Sequence, residues 1–429
     1  MNLPAVIHRM RHLDWGAHPE VDVRLRWMLL DTWACIVAGH PAASVTGLAA
    51  RMAAGVKPGQ LWTSGPCLNP QGTAMWLAMA ACWDEACEGH AGAHGRPGVA
   101  TLAALLPLAR DLRWHDFRTA LLVGYEVGAR MGAALRIRPG MHVDGNWPAL
   151  GAAAAVACAL GLDDAQVAAA VHLAACQLPL SLYRPVQTGD TGRNTYLGHS
   201  AVLGQLAAMA VASGVSAPPD GVQAYARVGL GLDSIAIDDT ATLQVMDAYF
   251  KPYAAVRHVH YGAAAASLLR PELAQQLPRQ VALEVYEEAT VYCGNRQPQT
   301  PLQAQFSLSF GLAAMLRWGR LDPWVYRAPQ FHDPLLRELE QRIVVSVHHE
   351  LTAARKRGAC LTLVLDDGTR LEQQVMSVAG DPDMPLSSQA LRQKFITYCT
   401  SADQASMAPH WLAQVESLSD PTLMATTGF

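Results

Sequence analysis

The sequence predicts a mainly α protein with a large all-helical part and a smaller α+β part. Three observations carry that expectation. From Val23 to about Ala210 the chain is dominated by Ala, Leu and Met at helical spacing; after Lys251 runs rich in β-branched residues appear; beyond Gly380 helical patterning returns. Helices are expected, in order, over Arg24 to Ala38, Thr73 to Cys82, Val99 to Arg110, Phe117 to Ala134, Leu150 to Leu160, Asp164 to Cys176 and Ser200 to Ser213, with stop signals such as Gly39, Pro58 and Gly214. The small residues from Gly151 to Ala159 suit a central helix that its neighbours approach closely. The apolar run from Ala149 to Leu162 is too short to span a bilayer and ends in Gly161 and the acidic pair Asp163 and Asp164, so it reads as a buried helix.

In the second part, Val281 to Tyr292 and Arg342 to Val347 read as strands. Ala359 to Leu365 and Thr369 to Val375 read as a β-hairpin turned by Asp366-Asp367-Gly368. The helical stretch from Gln389 to Tyr398 is expected to pack back on the first part.

A chain of 429 residues, 51% of them hydrophobic, can bury a large core divided among two or three domains. Only 16% are charged, the net charge is -4 and no Lys/Arg-rich run occurs, so the basic footprint of a nucleic-acid binder is missing. Small polyanions remain suitable ligands, because a pocket needs only a few local cations. The nine cysteines (Cys35, Cys67, Cys82, Cys87, Cys158, Cys176, Cys293, Cys360 and Cys399) are scattered and include no C-x-x-C pair. They read as buried free thiols of a reducing cytosol, and their spacing supports neither a zinc site nor an iron-sulfur cluster. Chemistry by side chains alone, with no metal and no nucleotide cofactor, is therefore the expectation. Met1 to Arg11 shows no apolar stretch of a secretory signal, so a cytoplasmic protein without a membrane partner is expected.

Five constellations carry polar chemistry. In the first, Asp84, Glu85 and Glu88 precede His90 and His94 in a glycine-rich loop; the residues alone leave open proton transfer, metal ligation and a merely solvated loop. In the second, His142 follows Gly140-Met141 between two helices, where a surface histidine is the plain alternative. In the third, Arg193 stands in a Gly-bounded loop that leads into an Ala-rich helix, placed either to grip a carboxylate or as a surface cation. In the fourth, Lys251, Arg257, His258 and His260 cluster near the domain boundary, as a carboxylate site or as a polar linker. The fifth is Tyr292 at the end of its expected strand, where a core tyrosine is the default.

Taken in order, these segments resemble the MmgE/PrpD family, which includes 2-methylcitrate dehydratase, cis-aconitate decarboxylase and iminodisuccinate epimerase. The similarity starts at Leu29-Leu30-Asp31-Thr32-Trp33 with Ala38-Gly39. It runs through the acidic-to-histidine loop, Gly124-Tyr125-Glu126-Val127, Gly140-Met141-His142, Phe250-Lys251-Pro252-Tyr253, Gln305-Phe306-Ser307-Leu308 and Gly380-Asp381-Pro382. Each motif is short, and their order over nearly the whole chain gives the resemblance its weight. It implies a large helical domain from residues 1–250 and 380–429, a smaller α+β lid domain over 251–379, a homodimer, and an active site between the domains.

Carried over by position, Asp84 matches the first aspartate of the family's D-x-D-D segment, His94 the histidine of H-P-x-G, His142 that of G-x-H, Lys251 the lysine of K-P-Y, and Tyr292 the active-site tyrosine. Arg193 falls where many members have lysine, and exchanges a point charge for a fixed fork. The later aspartates of the acidic segment are gone, with Glu88 at a Thr/Val position. The expected activity is lyase action on a small di- or tricarboxylate such as 2-methylcitrate, with decarboxylation or epimerisation as alternatives and a non-catalytic carboxylate-binding homologue as a different class of answer. Arg193, Lys251, Arg257, His260 and Glu88 would bind substrate, His94 and His142 would move protons, Tyr292 would donate to a leaving hydroxyl or oxyanion, and Asp84 would orient a histidine.

Overall fold

The computed structural model describes residues 3–53, 68–273 and 276–424; Pro58 and Cys67 lie outside them. The first part is built from α1 (Pro19–Gly39), α2 (Pro70–Cys82), α3 (Pro97–Leu105), α4 (Trp114–Ala134), α5 (Pro148–Ala159), α6 (Asp164–Ala175) and α7 (Tyr196–Ala212). Local chemistry sets several of these ends. Asn69 accepts from the Gly72 amide ahead of Pro70, and Asp163 forms a capping box with Gln166. The helix expected to reach Arg110 stops at Leu105 and tightens into a 3-10 turn over Leu106–Asp111, where Pro107 has no amide to offer the α-ladder.

α5 is the centre of this part, with Pro148 to Ala157 buried without a break and α3, α4, α6 and α7 packed around it. Its small residues permit this approach. A Cβ on Gly151 would come within 2.6 Å of the Gly124 carbonyl oxygen on α4, so the two backbones touch. Among the described residues no single helix is long and apolar enough to cross a membrane.

The remaining part carries α8 (Arg257–Leu269), β3 (Gln280–Val285), α9 (Glu287–Cys293), α10 (Leu308–Trp318), β4 (Ile343–Val347), β5 (Ala359–Val364) and β6 (Arg370–Val375), followed by α11 (Ser388–Ser401). The sheet runs β4-β3-β5-β6, parallel between β3 and β4 and antiparallel elsewhere. Val281, Leu283 and Val285 alternate inward along β3, and α8 covers the sheet near Leu283. The expected hairpin forms, with Gly368 in the left-handed conformation and its amide donating to the Leu365 carbonyl at 3.1 Å. A two-stranded ribbon of β1 (Gly89–His90) and β2 (Ala248–Tyr249) joins the acidic loop to the segment that enters the second part.

Three sequence expectations need correction. The strand from Val281 ends at Val285, and Tyr292 lies in the last turn of α9; the acidic pair Glu287 and Glu288 favours a helix N-terminus, outweighing the β-branched Thr290 and Val291. Arg257, His258 and His260 sit on α8 and not on a linker. The described cysteines are free, as expected, but Cys176 is exposed because it caps the solvent-facing end of α6, and Cys158 and Cys360 are only partly buried.

α11 returns to the first part and packs on α1, where Lys394 Nζ donates to Asp31 Oδ1 at 2.5 Å and to the Ala86 carbonyl at 2.8 Å. Just before α11 the chain crosses beside Phe250. Gly380 there has φ +97°, and a Cβ would lie 1.8 Å from the Phe250 oxygen. Gly380→Ala is therefore expected to destabilise the protein by about 2 to 4 kcal/mol, since both the backbone conformation and the space exclude a methyl group. Chemical denaturation measures this, and an unchanged midpoint would show that the crossing relaxes freely.

Candidate active site

The cavity that gathers most of the expected residues lies between the helical part and the α8–α9 face, and has a volume of about 330 Å3. Its inner wall is the loop that follows α2. Two non-glycine residues of that loop, Glu85 (φ +52°) and His94 (φ +55°), hold the left-handed conformation, and both side chains line the cavity. The loop is fixed by Lys394 at Ala86, by the His90 amide donating to the Gly95 carbonyl at 2.9 Å, and by the β1–β2 ribbon. Its left-handed turn faces Glu85 inward and leaves Asp84 outside the cavity. Asp84 takes a bidentate grip from Arg327 at 2.7 and 2.9 Å.

Glu85 is the hub of a buried ion cluster. Its Oε1 accepts from Lys251 Nζ at 2.8 Å, and its Oε2 meets Arg193 Nη2 and, at 3.3 Å, Arg96 Nη1. Arg96 Nη2 also pairs with Asp144, whose Oδ2 lies 3.4 Å from Arg193 Nη2. Three cations thus face two carboxylates, leaving one positive charge uncompensated within the cluster. Burial by itself would raise the Glu85 carboxyl, but Arg193, Arg96 and Lys251 outweigh it and hold the group well below the usual carboxylate range. Burial lowers the Lys251 ammonium, and the charge of Glu85 opposes that shift.

The two histidines stand on different sides. His142 is buried, with its ring stacked on Tyr183 at 5.6 Å, and burial pushes it down to about 4, with Arg193 and Arg96 adding to the shift and Asp144 opposing it. The Asp144 amide donates to His142 Nδ1 at 3.1 Å and Arg193 Nε approaches Nε2 as a donor at 3.5 Å, so both ring nitrogens face N–H groups and the ring holds Arg193 in place. His94 is at the open side, held below the ordinary histidine range by desolvation and then by Arg136 and Arg357.

From the second part come Lys251, Arg257, His258, Tyr292 and Arg357. Arg257 pairs with Asp381 and lies over the Tyr249 ring. Tyr292 is 44% exposed, stacked on His258 at 5.8 Å and edge-on to Tyr183 at 5.5 Å. His258 is fixed by the Tyr286 hydroxyl at 2.5 Å.

Three expected residues stay outside the cavity lining. Asp84 serves Arg327; His260 is fully buried, donating from Nε2 to the Ala255 carbonyl at 3.0 Å and taking Arg257 Nη1 on Nδ1 at 3.1 Å; Glu88 lies under the N-terminus of α3, where its Oε1 accepts from the Gly98 amide at 2.8 Å. Sequence reasoning missed Glu85, Asp144, Arg96 and Arg357 as site residues. The signal for the first two was proximity: Glu85 follows Asp84, and Asp144 is two residues beyond His142. No group of three or more His, Cys, Asp or Glu side chains is placed to hold a metal ion among the described residues.

A helical part and a sheet-bearing part enclosing a cationic, histidine-lined cavity define the class of protein that the comparisons then specify. Residues 5–229 match the MmgE/PrpD N-terminal domain and residues 253–418 the MmgE/PrpD C-terminal domain, so the chain belongs to the MmgE/PrpD family. Members of that family are mostly lyase-type enzymes. No curated protein matches the chain.

Burial raises Glu88 to about 8, reinforced by the negative charge of Asp31 and opposed by the Gly98 amide. The folded carboxyl therefore keeps its proton at pH values where the unfolded one has lost it. This contribution to stability is complete below the ordinary glutamate value and is lost as pH rises through about 8. The thermal midpoint is expected to fall between about pH 5 and pH 9, and Glu88→Gln to remove part of that slope. Equal slopes in both proteins would place the titrating group elsewhere.

Proposed function

We propose that this protein is a hydro-lyase acting on a small di- or tricarboxylate of the 2-methylcitrate kind, using side chains and no cofactor. One observation carries the reading: three buried cations outnumber two carboxylates at the base of a cavity that also holds two neutral histidines. A carboxylate beside the reacting carbon takes the place that solvent would hold next to Arg193 and Lys251. Those groups then stabilise the dianionic charge that builds up when the α-proton leaves, without reorganising at that moment. The outer carboxylates face Arg136 and Arg357.

His94, neutral and open to the cavity, removes the α-proton. The Tyr292 hydroxyl, which borders the same space, donates a proton to the departing hydroxide, which leaves as water, while His142 positions Arg193; the tyrosine and the His94 ring are reset by proton exchange with solvent. Decarboxylation and epimerisation would use the same cations, so products decide among them.

The test is incubation with citrate, 2-methylcitrate, cis-aconitate and iminodisuccinate in deuterated water, followed by proton NMR. Dehydration of a citrate gives olefinic signals, decarboxylation removes a carbon, and epimerisation exchanges an α-proton; inertness toward the whole panel defeats the reading. On the substrate so identified, His94→Gln and His142→Gln are expected to lower kcat by about a hundredfold or more with little change in thermal unfolding. Arg193→Met is less informative, because it leaves the two buried carboxylates Glu85 and Asp144 with only Arg96 and Lys251 and costs stability. Arg193→Lys retains the charge and is expected to keep the fold while kcat/KM falls. Wild-type turnover in all three of His94→Gln, His142→Gln and Arg193→Lys would remove the assignment.

The pH profile gives an independent check. Base catalysis by His94 requires the neutral ring, so kcat/KM is expected to fall only at pH values below the ordinary histidine range. Bound carboxylates offset Arg136 and Arg357, which moves the acid limb of kcat to higher pH than that of kcat/KM. Coincident limbs would exclude that electrostatic coupling.

A further inference from the structure

Of the basic residues that cluster from Lys251 to His260, Lys251 is held by Glu85, Arg257 by Asp381, and His260 by the Ala255 carbonyl and Arg257. His258 is the one whose chemistry is not yet taken up. Its ring is fixed by two tyrosines: the Tyr286 hydroxyl meets Nδ1 at 2.5 Å, and the Tyr292 ring lies 5.8 Å away and 13° from parallel. Tyr286 is itself buried at the start of α9 and packs edge-on to Tyr261 at 6.0 Å, so its hydroxyl is held in place. Burial pushes the Tyr286 phenol up, and it keeps its hydrogen; among the described residues His258 Nδ1 is the only partner that this hydroxyl has. The hydroxyl therefore donates to Nδ1, and a neutral ring carries its own proton on Nε2. The ring is neutral, since burial pushes it down to about 3, with Arg357 and Lys251 adding to the shift. Nε2 meets no acceptor among the described residues and is not sealed in the core, and the ring lines the first cavity.

We propose that His258 is a further catalytic residue, donating its Nε2–H to the substrate carboxylate that faces Lys251, and that Tyr286 is the positioning residue that aims this donor. The proposal rests on the carboxylate reading of the cavity and adds a group to it. Arg193 and Lys251 already pair with Glu85, so part of their charge is spent. An uncharged donor with no protein acceptor gives up nothing when it turns to the substrate. As the α-proton passes to His94, the carboxylate gains charge, and this hydrogen bond strengthens without moving a proton of its own.

The experiment joins kinetics on citrate, 2-methylcitrate, cis-aconitate and iminodisuccinate with nitrogen NMR of the full chain labelled with 15N-histidine, using His258→Gln to assign the signal. In the wild type His258 is expected to show a protonated Nε2 and a bare Nδ1, and in Tyr286→Phe a mixture of the two tautomers. His258→Leu is expected to lower kcat about a hundredfold while KM changes less than about threefold, and His258→Gln, whose amide N–H2 takes the place of the Nε2–H, to recover about tenfold of that loss. A wild-type ring protonated on Nδ1, a wild-type kcat in His258→Leu, an equal loss in His258→Leu and His258→Gln, or an unchanged tautomer in Tyr286→Phe overturns the proposal and leaves the carboxylate reading in place. Inertness of the wild type toward every compound overturns the carboxylate reading and this proposal together.

Discussion

Burial of the Glu85 carboxylate among three cations is the constraint on which the site depends. Arg96 enters from the start of α3, Arg193 from the loop before α7, and Lys251 from the approach to the second part, so one side chain joins three distant segments. A carboxylate taken out of water needs such partners, since its desolvation costs several kcal/mol that a single contact does not return. Each partner in turn requires Glu85. The loop after α2, the helix starts and the junction between the two parts are thereby fixed by one electrostatic balance, in which Asp144 closes the set through Arg96 and Arg193.

The backbone is bent to meet that balance. Glu85 and His94 both adopt a conformation that costs an ordinary side chain energy, and the surroundings hold them in it. Lys394 reaches from α11 to the Ala86 carbonyl, and the ribbon of Gly89 and His90 with Ala248 and Tyr249 ties the same loop from the other side. Helix α11 thus acts on the site through one buried ammonium group, which also pairs with Asp31 on α1. Gly380 permits the chain to return by this route, because its backbone passes against the Phe250 carbonyl next to Lys251.

The cluster also sets what the cavity can bind. Pairing with Glu85 and Asp144 removes most of the charge of its cations, so the site is a weakly positive base and not a strong anion trap. A substrate carboxylate there gains from oriented donors as much as from net charge. Neutral His142 and His94 fit this setting, because burial, reinforced by neighbouring arginines, disfavours imidazolium while leaving proton exchange with a bound anion open.

The sequence by itself determined the helical half, the hairpin and the place of the composition change, because apolar periodicity and turn chemistry are local properties written in neighbouring residues. The order of its short motifs also led to the MmgE/PrpD family, to which the chain belongs. Only the tertiary structure decided which carboxylate faces the cavity. Asp84 and Glu85 are adjacent and chemically alike, and the left-handed turn at Glu85, together with Arg327 waiting outside, sends one inward and the other out. Tyr292 became a helical residue, Glu88 and His260 became buried supports, and Asp144, Arg96 and Arg357 joined the cavity lining, for the same reason. The direction of a side chain and the charge it meets are set by segments that lie far apart in the chain and come together only when it folds.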